Sequence, residues 1–232
     1  MSAGFSAESM YLSLDTSGAT GSVAVSSGGD VLARGVMTRR AEHASGLLPL
    51  IGDVLDEAGV ERDELSGLLV GEGPGSFTGV RVAAATSKGL SRALEIPVWA
   101  ISSLAAAAMA VDSGAIRYAL FDARAERVYG ACYGIGGAGV QTLVPPHGGE
   151  LRQVLDSDVP PGVVFVGEAA EKHEAVIEGA GFAVVHAAQD VSLADGLVRY
   201  LASCPHERPV DEIGSWEPAY VRSSSAERLW TT

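Results

Sequence analysis

Apolar positions come first in short strand-like runs and only later at helical spacing. Residues 11–14 form an apolar strand that ends in Asp15-Thr16-Ser17-Gly18. Two more strands, 22–26 and 31–37, follow across a polar Gly/Thr turn and across Gly28-Gly29-Asp30, so the opening reads as a three-strand meander. The period then changes. Leu47, Leu48, Ile51, Val54, Leu55 and Ala58 recur at i, i+3, i+4, i+7 spacing and predict a helix over 45–58, with Leu50 widening its apolar arc. Asp53, Asp56 and Glu57 take the other face, and Gly59 suits the C′ position. Pro49 is expected to start the first turn or kink it.

A buried strand at 68–70 runs into Gly73-Pro74-Gly75-Ser76-Phe77-Thr78-Gly79-Val80-Arg81, and a helix is predicted over 80–94. Glycines at a strand-to-helix turn let the backbone approach something closely, and a helix N-terminus offers unpaired N–H groups. The loop therefore suits either a phosphate or a tight turn that packs the helix on the sheet. It is not a Walker A loop, because no Gly-Lys-Ser/Thr closes it. The helix interior is small: Ala83, Ala84, Ala85, Thr86, Ser87, Gly89, Ser91 and Ala93. Gly89 costs about 1 kcal/mol relative to Ala. Close helix–helix packing would offset that, against helix 45–58 or against another chain.

Further on, an extended 98–101 leads to an alanine-rich helix over 102–111. Strands 116–121 and 128–133 flank a hairpin turn at 122–126, and another strand is expected at 140–144. Then come a strand at 163–166 ending at Gly167, a helix over 169–178, a strand at 183–185, a helix over 193–202 and a loop over 205–209. The pattern is mixed α/β with a boundary near residue 100 and no linker there, so two halves, 10–100 and 101–232, should pack together. The tail is expected to return to the first half.

Composition narrows the function. Hydrophobic residues make up 47% of 232 and mean hydropathy is +0.21, as in a globular chain. No apolar run approaches a membrane span. Residues 1–9 hold no basic residue and no long apolar stretch, which reads as a short disordered lead or an expression remnant rather than a signal peptide. Cys132 and Cys204 are far apart and fit a reduced cytosolic protein. Sixteen basic against 29 acidic residues give −13, which repels nucleic acid unless cations cluster. Arg81, Lys88 and Arg92 form one helical stripe, suited to a solvated face or to an anionic contact.

The five histidines, His43, His147, His173, His186 and His206, make no H-x-x-x-H pair, so no helix-borne metal site is expected. No Gly-x-Ser-x-Gly elbow supports a hydrolase. Asp15 and Thr16 are the best chemical pair. Such a turn can hold magnesium and phosphate oxygens, and is equally ordinary turn chemistry.

These motifs in this order resemble the TsaB (YeaZ) family of bacterial tRNA threonylcarbamoyladenosine biosynthesis proteins. The resemblance rests on Leu14-Asp15-Thr16-Ser17, on Glu42-His43-Ala44 leading into Leu47-Leu48-Pro49-Leu50-Ile51, and on the run from Gly73 to Arg81 with Lys88-Gly89-Leu90. Asp122-Ala123-Arg124, Val128-Tyr129 and Pro218-Ala219-Tyr220-Val221-Arg222 extend it over nearly the whole chain. It implies an α/β fold of the actin-like, sugar-kinase-like (ASKHA) class, with two packed subdomains. It also implies a non-catalytic subunit required for threonylcarbamoyl (t6A) modification of adenosine 37 in ANN-decoding tRNAs, acting on a TsaD-type transferase. TsaD-type proteins carry a paired-histidine metal motif where this chain has only His43, so no metal is expected.

In the family, the first two long helices bundle with those of TsaD. That makes Leu47, Leu50, Ile51, Val54, Leu55, Val80, Arg81, Ala84, Ser87, Lys88 and Ser91 the expected partner interface. Asp15, Thr16, Ser17, Gly75 and Ser76 would be a vestigial phosphate site, with ATP or ADP held only within the complex and no cofactor of the chain's own. A TsaE-type ATPase is a further implied partner. Two copies of this chain could pair through the same helices, tRNA would be met only indirectly, and the location would be cytoplasmic with no membrane contact. The alternative is an ATP-dependent kinase or acyl-transfer enzyme of the actin-like class using Asp15 and Thr16. Length counts against it, and the Gly167 turn is its one candidate for a second phosphate loop.

Overall fold

The computed structural model describes residues 4–37, 43–124, 126–157 and 159–221. Five strands build a first sheet: β1 (Met10–Asp15), β2 (Gly21–Ser27), β3 (Asp30–Met37), β4 (Leu65–Gly71) and β5 (Val98–Ile101), in the order β3-β2-β1-β4-β5. The meander is antiparallel, while β1, β4 and β5 run parallel. Parallel strands need crossovers, and helices α1 (His43–Ala58) and α2 (Phe77–Leu94) supply them. A second sheet repeats this plan with β6 (Ile116–Asp122), β7 (Arg127–Gly136), β8 (Gly139–Glu150), β9 (Val163–Val166) and β10 (Ala183–Val184), in the order β10-β9-β6-β7-β8. Read from the antiparallel edge inward, the two orders are the same, so the molecule is a structural duplication.

Central strands are apolar on nearly every residue because both faces of the sheet are covered. Alternate side chains enter different cores. Leu12, Leu14, Leu68 and Val70 meet Leu47, Ile51 and Val54 of α1 and Ala83 of α2. Tyr11, Leu69 and Ile101 point the other way, into a middle layer made by α3 (Ser103–Met109) and α7 (Leu193–Ser203). These two helices are exchanged between the halves: α3 packs on β6 and β7, and α7 on β1, β2 and β4. Gly196 lets them touch, since any side chain there would strike the Ala106 carbonyl. Buried Arg117 closes the far end of α3. Its Nη1 donates to the Ala108 and Val111 carbonyls at 2.6 and 2.7 Å, groups a helix end otherwise leaves unpaired. The outer face of the second sheet is covered by α4 (Leu151–Leu155), α5 (Glu168–Lys172) and α6 (Glu174–Gly179).

Several expectations are corrected. Residues 5–9 are not a disordered lead: Phe5 stacks on Tyr11 at 5.6 Å and the Ser9 carbonyl accepts from Gly28 N at 2.8 Å. α1 begins at His43 and continues through Pro49, which removes one intrahelical donor without ending the helix. β8 extends from Gly139 to Glu150 through Pro145 and Pro146, far past the strand expected at 140–144. It is an edge strand, where a missing N–H costs little, and the ladder shifts register beside the two prolines. The helix expected over 169–178 is two helices, broken at His173, whose φ of −112° is not helical.

Candidate functional site

The Asp-Thr-Ser turn after β1 and the glycine loop before α2 form one clasp. Asp15, Thr16 and Ser17 are buried to 1% exposure or less. Asp15 Oδ1 accepts from Ser17 N and Ser17 Oγ, both at 2.7 Å, and its Oδ2 accepts from Ser103 Oγ at 2.6 Å. Ser103 Oγ in turn accepts from Gly73 N at 3.1 Å. Thr16 Oγ1 donates to the Gly79 carbonyl at 2.6 Å, and Ser76 N donates to the Ser17 carbonyl at 2.7 Å. Ser76 is also the N-cap of α2, its Oγ accepting from Gly79 N at 3.3 Å. The glycines admit this turn. A side chain at Gly71 would strike the Asp15 carboxylate, one at Gly79 the Thr16 carbonyl, and one at Gly75 would lie 2.5 Å from the Ser17 carbonyl. The loop's close approach is to its own chain, and the α2 N-terminus is capped from within.

Beside the clasp, a cleft between the two halves holds a cavity of about 180 Å3 lined by the β1–β2 turn, the end of α3, Gly167 and Glu168. Glu168 reaches across it. Its Oε2 accepts from Ala19 N at 2.7 Å and its Oε1 from Asp122 N at 3.4 Å. Asp122 is itself paired with Lys172 at 2.8 Å. Two loop amides, one from each half, thus face a carboxylate of the chain. Gly167, with φ of 93°, turns the chain so that Glu168 opens α5 there. Sequence reading had singled out Gly167 but not the acid after it.

The expected interface residues divide sharply. Leu47, Ile51, Val54, Leu55, Val80, Ala84, Ser87 and Ser91 are buried inside this chain. The arc of α1 that looked too broad for one chain is covered by β2, β3 and α2. Leu50 is half-buried over Gly35, and Lys88 is half-buried. Of the eleven, Arg81 is the one that stands exposed. The expected interface left out the outward apolar residues beside them: Leu48 is 60% exposed and Phe77 58%. Gly89 does not serve packing within the chain, since a side chain there would meet nothing within 4 Å.

The tail completes this face. Val210 N donates to Val98 O at 2.7 Å on β5, and the chain then turns back along α2. Lys88 Nζ donates to Gly214 O at 3.3 Å and lies over the Trp216 ring, while Ala219 N donates to Glu72 O at 3.0 Å. Under this strap, burial pushes the Glu72 carboxyl above its usual value, partly opposed by the Trp216 indole and reinforced by the Glu207 charge. Tyr220 then reaches Arg81. The guanidinium carbon sits 3.7 Å from the Phe77 ring centroid, and Arg81 Nε donates to Tyr220 Oη at 3.1 Å. Phe77, Arg81 and Tyr220 make an exposed shelf at the start of α2. Arg222, Glu42 and the His43 side chain lie outside what the structure describes.

Among the described residues, no group of three His, Cys, Asp or Glu side chains is placed to hold a metal, and no helix is long and apolar enough to cross a membrane.

Comparison with known proteins adds the following. The model of the family described as TsaD, tRNA N6-adenosine threonylcarbamoyltransferase, matches residues 34–205. The tRNA threonylcarbamoyladenosine biosynthesis protein TsaB of Bacillus subtilis is 28% identical over 94% of this chain and 96% of its own length. The Escherichia coli protein of the same name is 34% identical over 64% of this chain and 63% of its own. A solved Pseudomonas aeruginosa structure, titled as an uncharacterized protein with similarity to peptidase YEAZ, superposes with a TM-score of 0.77 at 28% identity. It covers 92% of this chain and 100% of that one.

Proposed function

The chain belongs to the family whose model is described as TsaD and, within it, to the TsaB (YeaZ) proteins of tRNA threonylcarbamoyladenosine biosynthesis, and from that membership we propose that it is a non-catalytic subunit that binds and activates a TsaD-type transferase. Its role is in t6A formation and its fold is of the actin-like class. On this reading it serves modification of adenosine 37 in ANN-decoding tRNAs, in the cytoplasm. A TsaE-type ATPase joins the complex, and two copies of the chain pair through the same face when the transferase is absent.

One observation carries the non-catalytic reading. The groups that a nucleotide-using enzyme of this class would turn toward a phosphate are engaged by the chain itself. Asp15, Thr16 and Ser17 hold the glycine loop, and Glu168 occupies the amides across the cleft. The reading for tRNA follows from charge. A chain at −13 repels a polyanion, so the transferase supplies the cationic surface. The interface is best sought on the outward parts of α1 and α2, at Leu48, Phe77 and Arg81 with half-buried Leu50 and Lys88 beside them.

Co-purification with a TsaD-type protein, followed by a t6A assay with and without this chain, tests the proposal. Modification that needs the chain supports it. Steady ATP consumption by the purified chain, abolished by Asp15→Ala, overturns the non-catalytic part. A submicromolar tRNA dissociation constant for the chain alone at physiological salt overturns the indirect role toward tRNA.

A further inference from the structure

Arg81 differs from every other cation on α2. Lys88 is committed to the Gly214 carbonyl, and Arg92 sits in the last turn, where a cation complements the helix end. Arg81 is held just past the first turn, at the end of the helix where the dipole does not favour a cation. Three contacts fix it: the Phe77 ring 3.7 Å below, the Tyr220 ring at 5.9 Å, and the Nε–H bond to Tyr220 Oη. Its Nη1 and Nη2 atoms have no acceptor among the described residues. Phe77 and Tyr220 are 58% and 48% exposed and belong to no core cluster, so the two rings do little for the fold.

We propose that Arg81 is a preset anchor for a carboxylate, an Asp or Glu side chain on the TsaD-type partner; this rests on the partner reading above. An arginine that must be ordered on binding loses much of its side-chain freedom at that moment, and here the loss has already been taken in the fold. A flat guanidinium with its Nε committed leaves two terminal nitrogens, which can bond a carboxylate in a fork. The exposed rings around it would be covered on docking and would shield the pair from water. Aromatic and arginine residues of this kind dominate binding energy at interfaces. Charge selects the source of the carboxylate. A second copy brings −13 against −13, which weakens self-association, and tRNA phosphates meet the same repulsion.

The test measures the dissociation constant for the purified TsaD-type partner with the wild-type chain and with Arg81→Lys, Arg81→Glu and Phe77→Ala, beside each melting temperature. Arg81→Glu should weaken binding about 100-fold, and Arg81→Lys about tenfold although the charge is kept, with melting temperatures close to wild type. Phe77→Ala should fall between them. Reversal of one acidic residue on the partner should restore binding to Arg81→Glu and would identify the carboxylate. Wild-type affinity in both Arg81 variants overturns the anchor and leaves the partner reading standing. Absence of any wild-type complex overturns the partner reading and the anchor with it. If Arg81→Glu abolishes only self-association, or only tRNA binding, the anchor serves a second copy or a phosphate and the proposal fails.

Discussion

The clasp with its neighbouring cleft and the shelf at the start of α2 treat their polar groups in opposite ways. In the clasp and the cleft, each oxygen of Asp15 and of Glu168 accepts a hydrogen bond from the chain itself. On the shelf, Arg81 is oriented by Phe77 and Tyr220 while its terminal nitrogens have no partner among the described residues. The first arrangement stabilises the fold and excludes a guest. The second contributes little to the fold and is prepared for one. An actin-like scaffold can thus close the turn after its first strand on itself and still leave an oriented cation on an outer helix.

Variants can break this contrast, and the largest effect belongs to the core under α1. Ile51→Glu should unfold or severely destabilise the isolated chain, by about 3 kcal/mol or more, because Ile51 is only 5% exposed and a charge there would be unpaired. For a chain of this size that lowers the melting temperature by about 6 °C or more, read by calorimetry. A folded Ile51→Glu chain that merely failed to bind its partner would return α1's buried arc to the interface.

Next is the cleft. Glu168→Ala removes the acceptor for Ala19 N and should cost about 1–2 kcal/mol. Hydrogen exchange at the Ala19 amide should quicken at the same time. Unchanged exchange would show that the amide is protected by something other than the carboxylate.

Glu72 gives a smaller, pH-dependent effect. Its folded pKa is raised, so the folded state holds the proton more tightly than the unfolded one. Stability therefore falls as pH rises from the unfolded value near 4.5 through the raised folded value, and levels off above it. Glu72→Gln should flatten that limb and make the chain more stable at neutral pH, seen in melting temperatures across pH 4–8. An unchanged limb in Glu72→Gln would assign the effect to another group. The smallest stability change is expected at Leu48→Ser, within about 0.5 kcal/mol, because Leu48 is 60% exposed. Its association with a TsaD-type partner should nevertheless weaken.

How far these features could be read from sequence depends on the range of the contacts. The meander, α1, α2 and the parallel strands were legible because period and turn residues are local. The clasp was half legible: the glycines signalled a close approach, but its guest, the Ser17 backbone, comes from a turn about sixty residues earlier. The inner surface was misread because periodicity marks an apolar face and says nothing about what covers it. Leu47 and Ile51 carry the same signal whether β3 or another protein lies against them. Glu168, and the contact of Tyr220 with Arg81, escaped for a similar reason. Each acts across more than a hundred residues, and the motif that holds Tyr220 does not say what its ring would meet.

The strap along α2 sets an order of events in synthesis. Ribosomes deliver a chain from its N-terminus, and domains begin folding as they emerge. Arg81 and Phe77 appear early, while Tyr220 follows every strand and helix of both sheets. An incomplete chain can close its first sheet and still leave Arg81 swinging on a bare helix. Only when residues 210–220 have passed β5 and run back to Glu72 is the guanidinium pinned. The guanidinium is thereby set only after both sheets have been made, so that a chain cut before Tyr220 would keep the fold's strands and lose the orientation of Arg81.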